Sequence, residues 1–374
     1  MRNGMDAMGD KLSRLQVANL TFWIVMGTGV LALPATTGYF TARNGWISAL
    51  VASSGGFVSI GIVFIYSRVF PGVDLLQSFE SAFGRWFGAF AGLWYVLWLF
   101  ITISGIWREL SVFIEVTAYQ KTPLIVLSAV LVIPIVYIIY QGIQTVGMFS
   151  EFLTPLATGF TFLFVVLTVS NIDWSQFRPI LADGWTPVLR GSLVSTTFAM
   201  EPLILLQAAS KVDKPNQMAS SMFVAYSGIL ALSLLIEVVA IGTLGGAIQN
   251  LNYPILEVIR NVSFLKHFVE RIDTFYVMAV VAVLFLKLSM FQYVFATSIS
   301  QIFRLTHYRT IAWISTIMTW SGSVVLFRDS RELAELILFV LPAYFTLTLA
   351  GLPLLSMTAK HIRKIISSPK STSH

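Results

Sequence analysis

Glu201, Lys287 and the tripeptide Gly27-Thr28-Gly29 stand inside long apolar runs, where such residues are costly and therefore informative. An unpaired backbone N–H or C=O in hydrocarbon costs several kcal/mol. A permissive Gly-Thr-Gly within Leu20 to Ala35 therefore predicts a helix broken where it faces a protein-lined cavity. Glu201 is followed by Pro202 in the run Ser195 to Pro202. Proline removes a backbone donor and clashes with the preceding turn, so a second kinked or open helix is expected there. Half-helix N-termini present free N–H groups and a positive dipole end to an anion such as a carboxylate. An ionised Glu201 would receive an ammonium. Together these features suit a zwitterion such as an amino acid, bordered by Gly27, Thr28, Gly29, Ser104, Phe198, Ala199 and Glu201. The plainer alternative is a proline kink with Glu201 bonded to a neighbouring helix.

Lys287 lies at the centre of the apolar run Val283 to Ser289. A lysine at that depth costs about 2.5–3.5 kcal/mol on insertion scales, so it should face the bundle interior and have a partner. Glu201, Glu237 and carbonyls freed by the first break are the candidates. Three roles stay open: an ammonium standing where a sodium ion would bind, a proton carrier, and a structural ion pair. Arg108 and Glu109 follow an uncharged run, Gly88 to Trp107, that already spans a bilayer. They are therefore expected at the outer interface, where they and Glu237 could gate a vestibule.

Enzyme chemistry finds little support. Histidines 267, 307, 361 and 374 fall in loops or the tail without metal-ligand spacing, and neither a phosphate loop nor a nucleophile elbow occurs. The absence of cysteine excludes thiolate nucleophiles and disulfides. No cofactor and no metal are expected.

The elements that must position these residues follow from composition. The chain has 374 residues, 56% hydrophobic and 11% charged, with a mean hydropathy of +0.79. Soluble domains are about 25% charged, so the expected class is an all-α polytopic membrane protein. The +6 charge sits mostly in short connections, which marks topology and argues against a nucleic-acid partner; the lipid bilayer is the expected surroundings. Spans of roughly 20 apolar residues number ten: 15–36, 45–67, 86–117, 123–141, 147–170, 187–209, 218–248, 273–303, 309–327 and 332–359. The third, seventh and eighth exceed a bilayer's need and should tilt or project. Glycines 84, 88 and 92 allow a neighbouring helix to approach the third span closely.

Lys and Arg favour one set of connections over the other, which places both termini in the cytoplasm. A cytoplasmic segment, 1–14, then precedes the ten-span domain, 15–359, and a basic flexible tail, 360–374, follows it. N-terminal Asp6 and Asp10 argue against a cleavable signal peptide, and Asn261-Val262-Ser263 is a glycosylation-like triplet given no weight. Breaks in the first and sixth spans, in corresponding positions of the two halves, predict five-plus-five inverted repeats, about 15–170 and 187–359, with the site between them. Two long connections, about 171–186 and 249–272, are expected to form an outer lid.

The segments Leu12-Ser13-Arg14-Leu15-Gln16, Gly27-Thr28-Gly29 to Leu33-Pro34, Asn44-Gly45-Trp46-Ile47, Phe70-Pro71, Thr122-Pro123, Tyr140-Gln141-Gly142-Ile143-Gln144 and Arg178-Pro179-Ile180-Leu181 resemble the B subunits of bacterial spore germinant receptors. That family is similar to the amino acid–polyamine–organocation transporters. The resemblance implies the LeuT-like five-plus-five fold. It also implies nutrient sensing in the inner spore membrane beside an A subunit and a lipoprotein C subunit. Proton-coupled amino acid transport is the alternative. The wider superfamily often has Gly-aromatic-Glu at the sixth-span break. Ala199-Met200-Glu201 stands here, which implies less unwinding and favours a receptor over a carrier.

Overall fold

The computed structural model describes residues 11–261, 272–327 and 330–367. The readings resting on Asp6, Asp10, Ser263, His267, His374 and the basic residues at 2, 266, 271, 328 and 370 lie outside them. The described residues are almost wholly helical. Nine helices among them are long and apolar enough to cross a bilayer.

The first span is Arg14–Phe40, the second Gly45–Val69, the third Arg85–Thr117, the fourth Leu124–Gln141 and the fifth Ile143–Thr168. The sixth is Trp185–Lys211, the seventh Met218–Leu244, the eighth Ile272–Ile302 and the tenth Glu332–Ile366. The ninth is the 3-10 turn Tyr308–Ile311 running directly into the α-helix Ala312–Val325. The ten-element order thus holds, and the third and eighth spans reach 33 and 31 residues.

Local sequence explains the boundaries. Ser13 and Gln16 cap the first span reciprocally: the Gln16 N–H donates to Ser13 Oγ at 3.2 Å and the Ser13 N–H to Gln16 Oε1 at 3.0 Å. Gly142, at φ +96°, reverses the chain between the fourth and fifth spans, a conformation side chains resist. Gly88 brings the third span against the short helix Leu75–Phe83: a methyl there would lie 2.7 Å from Glu80 Cα. Close packing is therefore what that glycine permits.

The first and sixth spans occupy the centre. The most apolar stretch of each is 72% and 89% buried, against 22% for the fifth, so the two helices expected to be broken are the two best shielded from lipid. The first packs on the fifth, sixth, seventh and eighth spans; the second on the sixth and seventh; the third on the eighth and ninth.

Two expectations are corrected. The first span is a continuous α-helix through Gly27-Thr28-Gly29 and Pro34; the Val30 carbonyl, which Pro34 leaves without its intrahelical donor, accepts from the Tyr276 hydroxyl of the eighth span at 3.4 Å. The glycines provide a notch instead. A Cβ at Gly27 would stand 3.2 Å from Lys287 Cδ, so the glycine lets the eighth span's lysine lie against the helix. The sixth span does break, but before the Glu201-Pro202 pair. Its α-helix ends at Phe198 and a 3-10 segment begins at Glu201, with Pro202 in that segment's first turn, where proline's missing donor is not needed. Ala199 and Met200 keep right-handed dihedrals (φ −64°, ψ −15° and φ −89°, ψ −13°), giving a tight turn in place of unwound backbone.

The tenth span holds two π-helical segments, Leu336–Val340 and Thr346–Gly351, flanking Leu341–Phe345. Pro342, which cannot donate to the preceding turn, accounts for the first. The connection after the fifth span is pinned at several points. The Asp173 N–H donates to the Gly242 carbonyl at 2.8 Å, Arg43 Nη1 to the Arg178 carbonyl at 2.6 Å and the Leu181 N–H to Asn44 Oδ1 at 3.3 Å. The helix Pro254–Asn261 buries Ile255, Leu256, Val258 and Ile259 against the first, seventh and eighth spans.

Candidate functional site

The eighth span carries Lys287 into the bundle centre, where it is 1% exposed. Its Nζ donates to Glu201 Oε2 at 2.6 Å and to Thr28 Oγ1 at 2.6 Å. The Thr28 hydroxyl in turn donates to Glu109 Oε2 at 3.4 Å. Glu109 lies within electrostatic reach of both Lys287 and Glu201. One ammonium, two carboxylates and one hydroxyl from the first, third, sixth and eighth spans therefore meet at one point. The Phe198 and Phe291 rings flank the ammonium, each centroid 5.7 Å from Nζ, and limit its hydration.

The turn in the sixth span is what makes Glu201 available. It releases the Ala199 carbonyl from the helix, and that oxygen accepts hydrogen bonds from the Tyr226 hydroxyl and from Ser59 Oγ, the latter at 3.3 Å. The second and seventh spans thus fasten the turn from behind while Glu201 faces forward to Lys287. Neither Tyr226 nor Ser59 carries a charge or a break, so neither stood out in the sequence.

Four expected residues stand elsewhere or differently. Ser104 Oγ bonds the Phe100 carbonyl at 2.7 Å and the Thr319 carbonyl at 3.1 Å; it ties the third span to the ninth and does not reach the cluster. Glu237 is not Lys287's partner. It accepts from Thr37 Oγ1 at 2.7 Å and sits so close to Gly45 that a methyl there would strike its carboxylate. That position is the N-terminus of the second span, where an anion is favourable. Glu109, expected at the outer interface, is drawn into the cluster because the 33-residue third span continues to Thr117 beyond it. Its neighbour Arg108 is half-buried on the same helix. Gly29 faces away from Lys287 and lines a cavity with Phe198 and Ala199.

A second polar assembly closes the opposite end of the bundle from Asn44. Asp74 accepts from the Ser210 N–H at 2.8 Å, Ser210 Oγ at 2.9 Å and Gln301 Nε2 at 3.2 Å. Gln207 Nε2 donates to Gln301 Oε1 at 2.8 Å, and the Leu76 N–H donates to Gln207 Oε1 at 3.0 Å. Burial pushes the Asp74 carboxyl above its ordinary value, against the opposing influence of the Ser210 and Gln301 hydrogen bonds and the Lys211 charge. The Leu12 N–H donates to the Lys211 carbonyl at 2.7 Å, and the Asp213 N–H returns to Leu12 at 3.0 Å. The assembly joins the start of the first span, the second–third connection and the ends of the sixth and eighth. An aspartate just before a helix and a glutamine late in an apolar span were its only signals in the sequence.

Chemically, the Lys287 cluster can exchange its internal ion pair for an incoming zwitterion, or pass a proton among its carboxylates and ammonium. Among the described residues, no group of three or more His, Asp or Glu side chains is placed to hold a metal ion.

A family model described as spore germination protein matches residues 11–325. The chain belongs to that family. Members of the spore germination protein family to which it is similar include spore germination protein KB of Bacillus subtilis (strain 168), 22% identical over 302 residues, covering 78% of this chain and 79% of the relative. Spore germination protein YndE of the same organism is 21% identical over 299 residues, covering 78% and 82%. In fold, this family member is similar to Mhp1, a nucleobase-cation-symport-1 family transporter, in a closed conformation with bromovinylhydantoin bound (TM-score 0.68, 12% identity, 98% of this chain and 95% of that one). It is also similar to MhsT in complex with L-phenylalanine (TM-score 0.65, 14% identity, 94% and 99%). The fold is the LeuT-like one of ten helices.

Proposed function

We propose that the chain is the nutrient-sensing membrane subunit of a spore germination receptor, recognising an amino acid between the first, third, sixth and eighth spans. The observation that carries this reading is the buried Lys287–Glu201 pair at 2.6 Å, poised at the turn of the sixth span. The pair has the charge pattern of a zwitterion. An amino acid that enters gives its carboxylate to Lys287 and its ammonium to Glu201 and Glu109, so net charge in the cluster is unchanged and each buried ion keeps a partner. That MhsT holds L-phenylalanine supports a fold of this kind accommodating such a ligand.

Exchange of partners releases Glu201 from Lys287 and so alters the contact between the sixth and eighth spans. Ligand shifts the balance between paired and exchanged states by its differential affinity for them. An A subunit and a lipoprotein C subunit in the inner spore membrane read that shift, with both termini of this chain cytoplasmic. The Asp74 assembly, which holds the same two spans at one end, is suited to transmit it.

One observation favours proton-coupled amino acid transport as the second reading: two carboxylates share a single ammonium, leaving Glu109 as a proton acceptor. Purified protein in liposomes separates the two. Saturable binding of labelled amino acids without uptake under an imposed pH gradient supports the sensor; concentrative uptake refutes a pure sensor and establishes the carrier.

A further inference from the structure

We propose a second ligand site, separate from the ion cluster: the cavity between the first, second, sixth and seventh spans binds a small bilayer-dissolved amphiphile with an apolar body and one hydroxyl. The cavity measures about 160 Å³ and neither Thr28 nor Lys287 lines it. A dry engineered cavity of about 150 Å³ binds benzene, so an aromatic ring or short alkyl chain fits. Val25, Leu33, Ala52, Ile60, Phe198 and Ile229 are among its apolar lining.

The route of entry is lateral. Phe57 of the second span and Phe223 of the seventh stand at the mouth, 60% and 55% exposed, on helix faces turned to lipid. A ligand therefore arrives from the hydrocarbon, which selects for molecules that partition there.

The hydroxyl requirement comes from Ser195. It lines the cavity, is 6% exposed, and its Oγ has no hydrogen-bond partner among the described residues. The other hydroxyls of the wall already donate elsewhere: Ser53 to the Leu50 carbonyl, Ser227 to the Phe223 carbonyl, Tyr226 to the Ala199 carbonyl and Ser233 to Met26 Sδ. An unpaired buried hydroxyl is unfavourable, and a ligand hydroxyl satisfies it. Because Ala199 and Tyr226 form part of the wall, an occupant bears directly on the turn that presents Glu201. The site is thus placed to modulate the ion cluster from the lipid side.

The test uses 4-fluorobenzyl alcohol and 4-fluorotoluene as probes, followed by fluorine NMR with the full chain in phosphatidylcholine nanodiscs and corrected for partitioning into empty discs. Saturable binding of both is expected, the alcohol tighter. Ser195→Ala should weaken the alcohol by about 2- to 12-fold, the worth of one net hydrogen bond, and leave the toluene unchanged. Ala52→Phe should remove binding of both while Glu201 and Lys287 stay intact. Non-saturable signals in the native protein, or full binding by Ala52→Phe, overturn the site. Unchanged alcohol affinity in Ser195→Ala, a variant that removes one atom and keeps the helix, overturns the hydroxyl contact.

Discussion

Replacing Lys287 by Met removes the only ammonium of the cluster while keeping a flexible side chain of similar length. Lys287 and Glu201 are each 1% exposed and bonded at 2.6 Å, so water cannot take over the carboxylate. Removing one partner of such a pair costs about 3–5 kcal/mol, because the other charge is left uncompensated. Glu109 raises the cost, since Thr28 Oγ1 donates to it at 3.4 Å and two carboxylates then face each other without a cation. Glu201→Gln alone should cost less, as Lys287 keeps Thr28 and has Glu109 in electrostatic reach. The double variant Lys287→Met/Glu201→Gln removes both charges and should recover most of the loss. A coupling of at least about 2 kcal/mol is expected, within the range seen for contacting residues. Thermal unfolding in nanodiscs, read by the chain's ten tryptophans, would measure it alongside amino acid binding. Additive single effects, or a Lys287→Met protein as stable as the native one, would falsify the buried-pair argument. Normal ligand response in Lys287→Met would refute the proposed site.

The two glycines of the first span should separate. Gly27→Val drives a side chain into Lys287 (a Cβ already lies 3.2 Å from its Cδ) and should impair ligand binding without preventing membrane insertion. Gly29→Ala meets only Met26 at 3.5 Å and should be neutral or stabilising by up to about 1 kcal/mol, since alanine favours helix; loss of binding from Gly29→Ala alone would contradict the notch. Tyr226→Phe removes one of two donors to the Ala199 carbonyl and should cost about 0.5–1.5 kcal/mol in the same unfolding assay, with no cost if the turn is held otherwise. Asp74 binds its proton more tightly in the folded than in the unfolded chain, so its contribution to stability is greatest at low pH and declines as pH rises through the window above the ordinary value of 3.8. Unfolding of the native chain and of Asp74→Asn across pH 4 to 8 should show the native chain losing ground to the variant as pH rises; the opposite slope would refute burial as the dominant cause.

Much of this layout was legible because hydrocarbon tolerates so few alternatives. Ten apolar runs can only be helices, and a lysine amid Val283 to Ser289 can only face inward with a partner. Glu201 beside Pro202 marked the sixth span as irregular for an equally local reason. The misplaced side chains are errors of rotation and depth. Helices apolar on every side carry no stripe to show which face meets which neighbour, so Ser104 could be placed on the third span but not turned toward Thr319. Glu237 could be assigned to the seventh span but not to the second span's N-terminus. Glycine in a helix is likewise ambiguous, because it permits a break and a close approach alike.

By itself the sequence determined what the membrane punishes: where the chain must be helical, which charges must be hidden, and that Lys287 could not be alone. Only the tertiary structure decided whom those charges meet. Partner choice depends on the relative rotation of four helices distant in the chain. That rotation is set by packing, with Gly27 admitting Lys287 and Tyr226 and Ser59 holding the turn at Ala199.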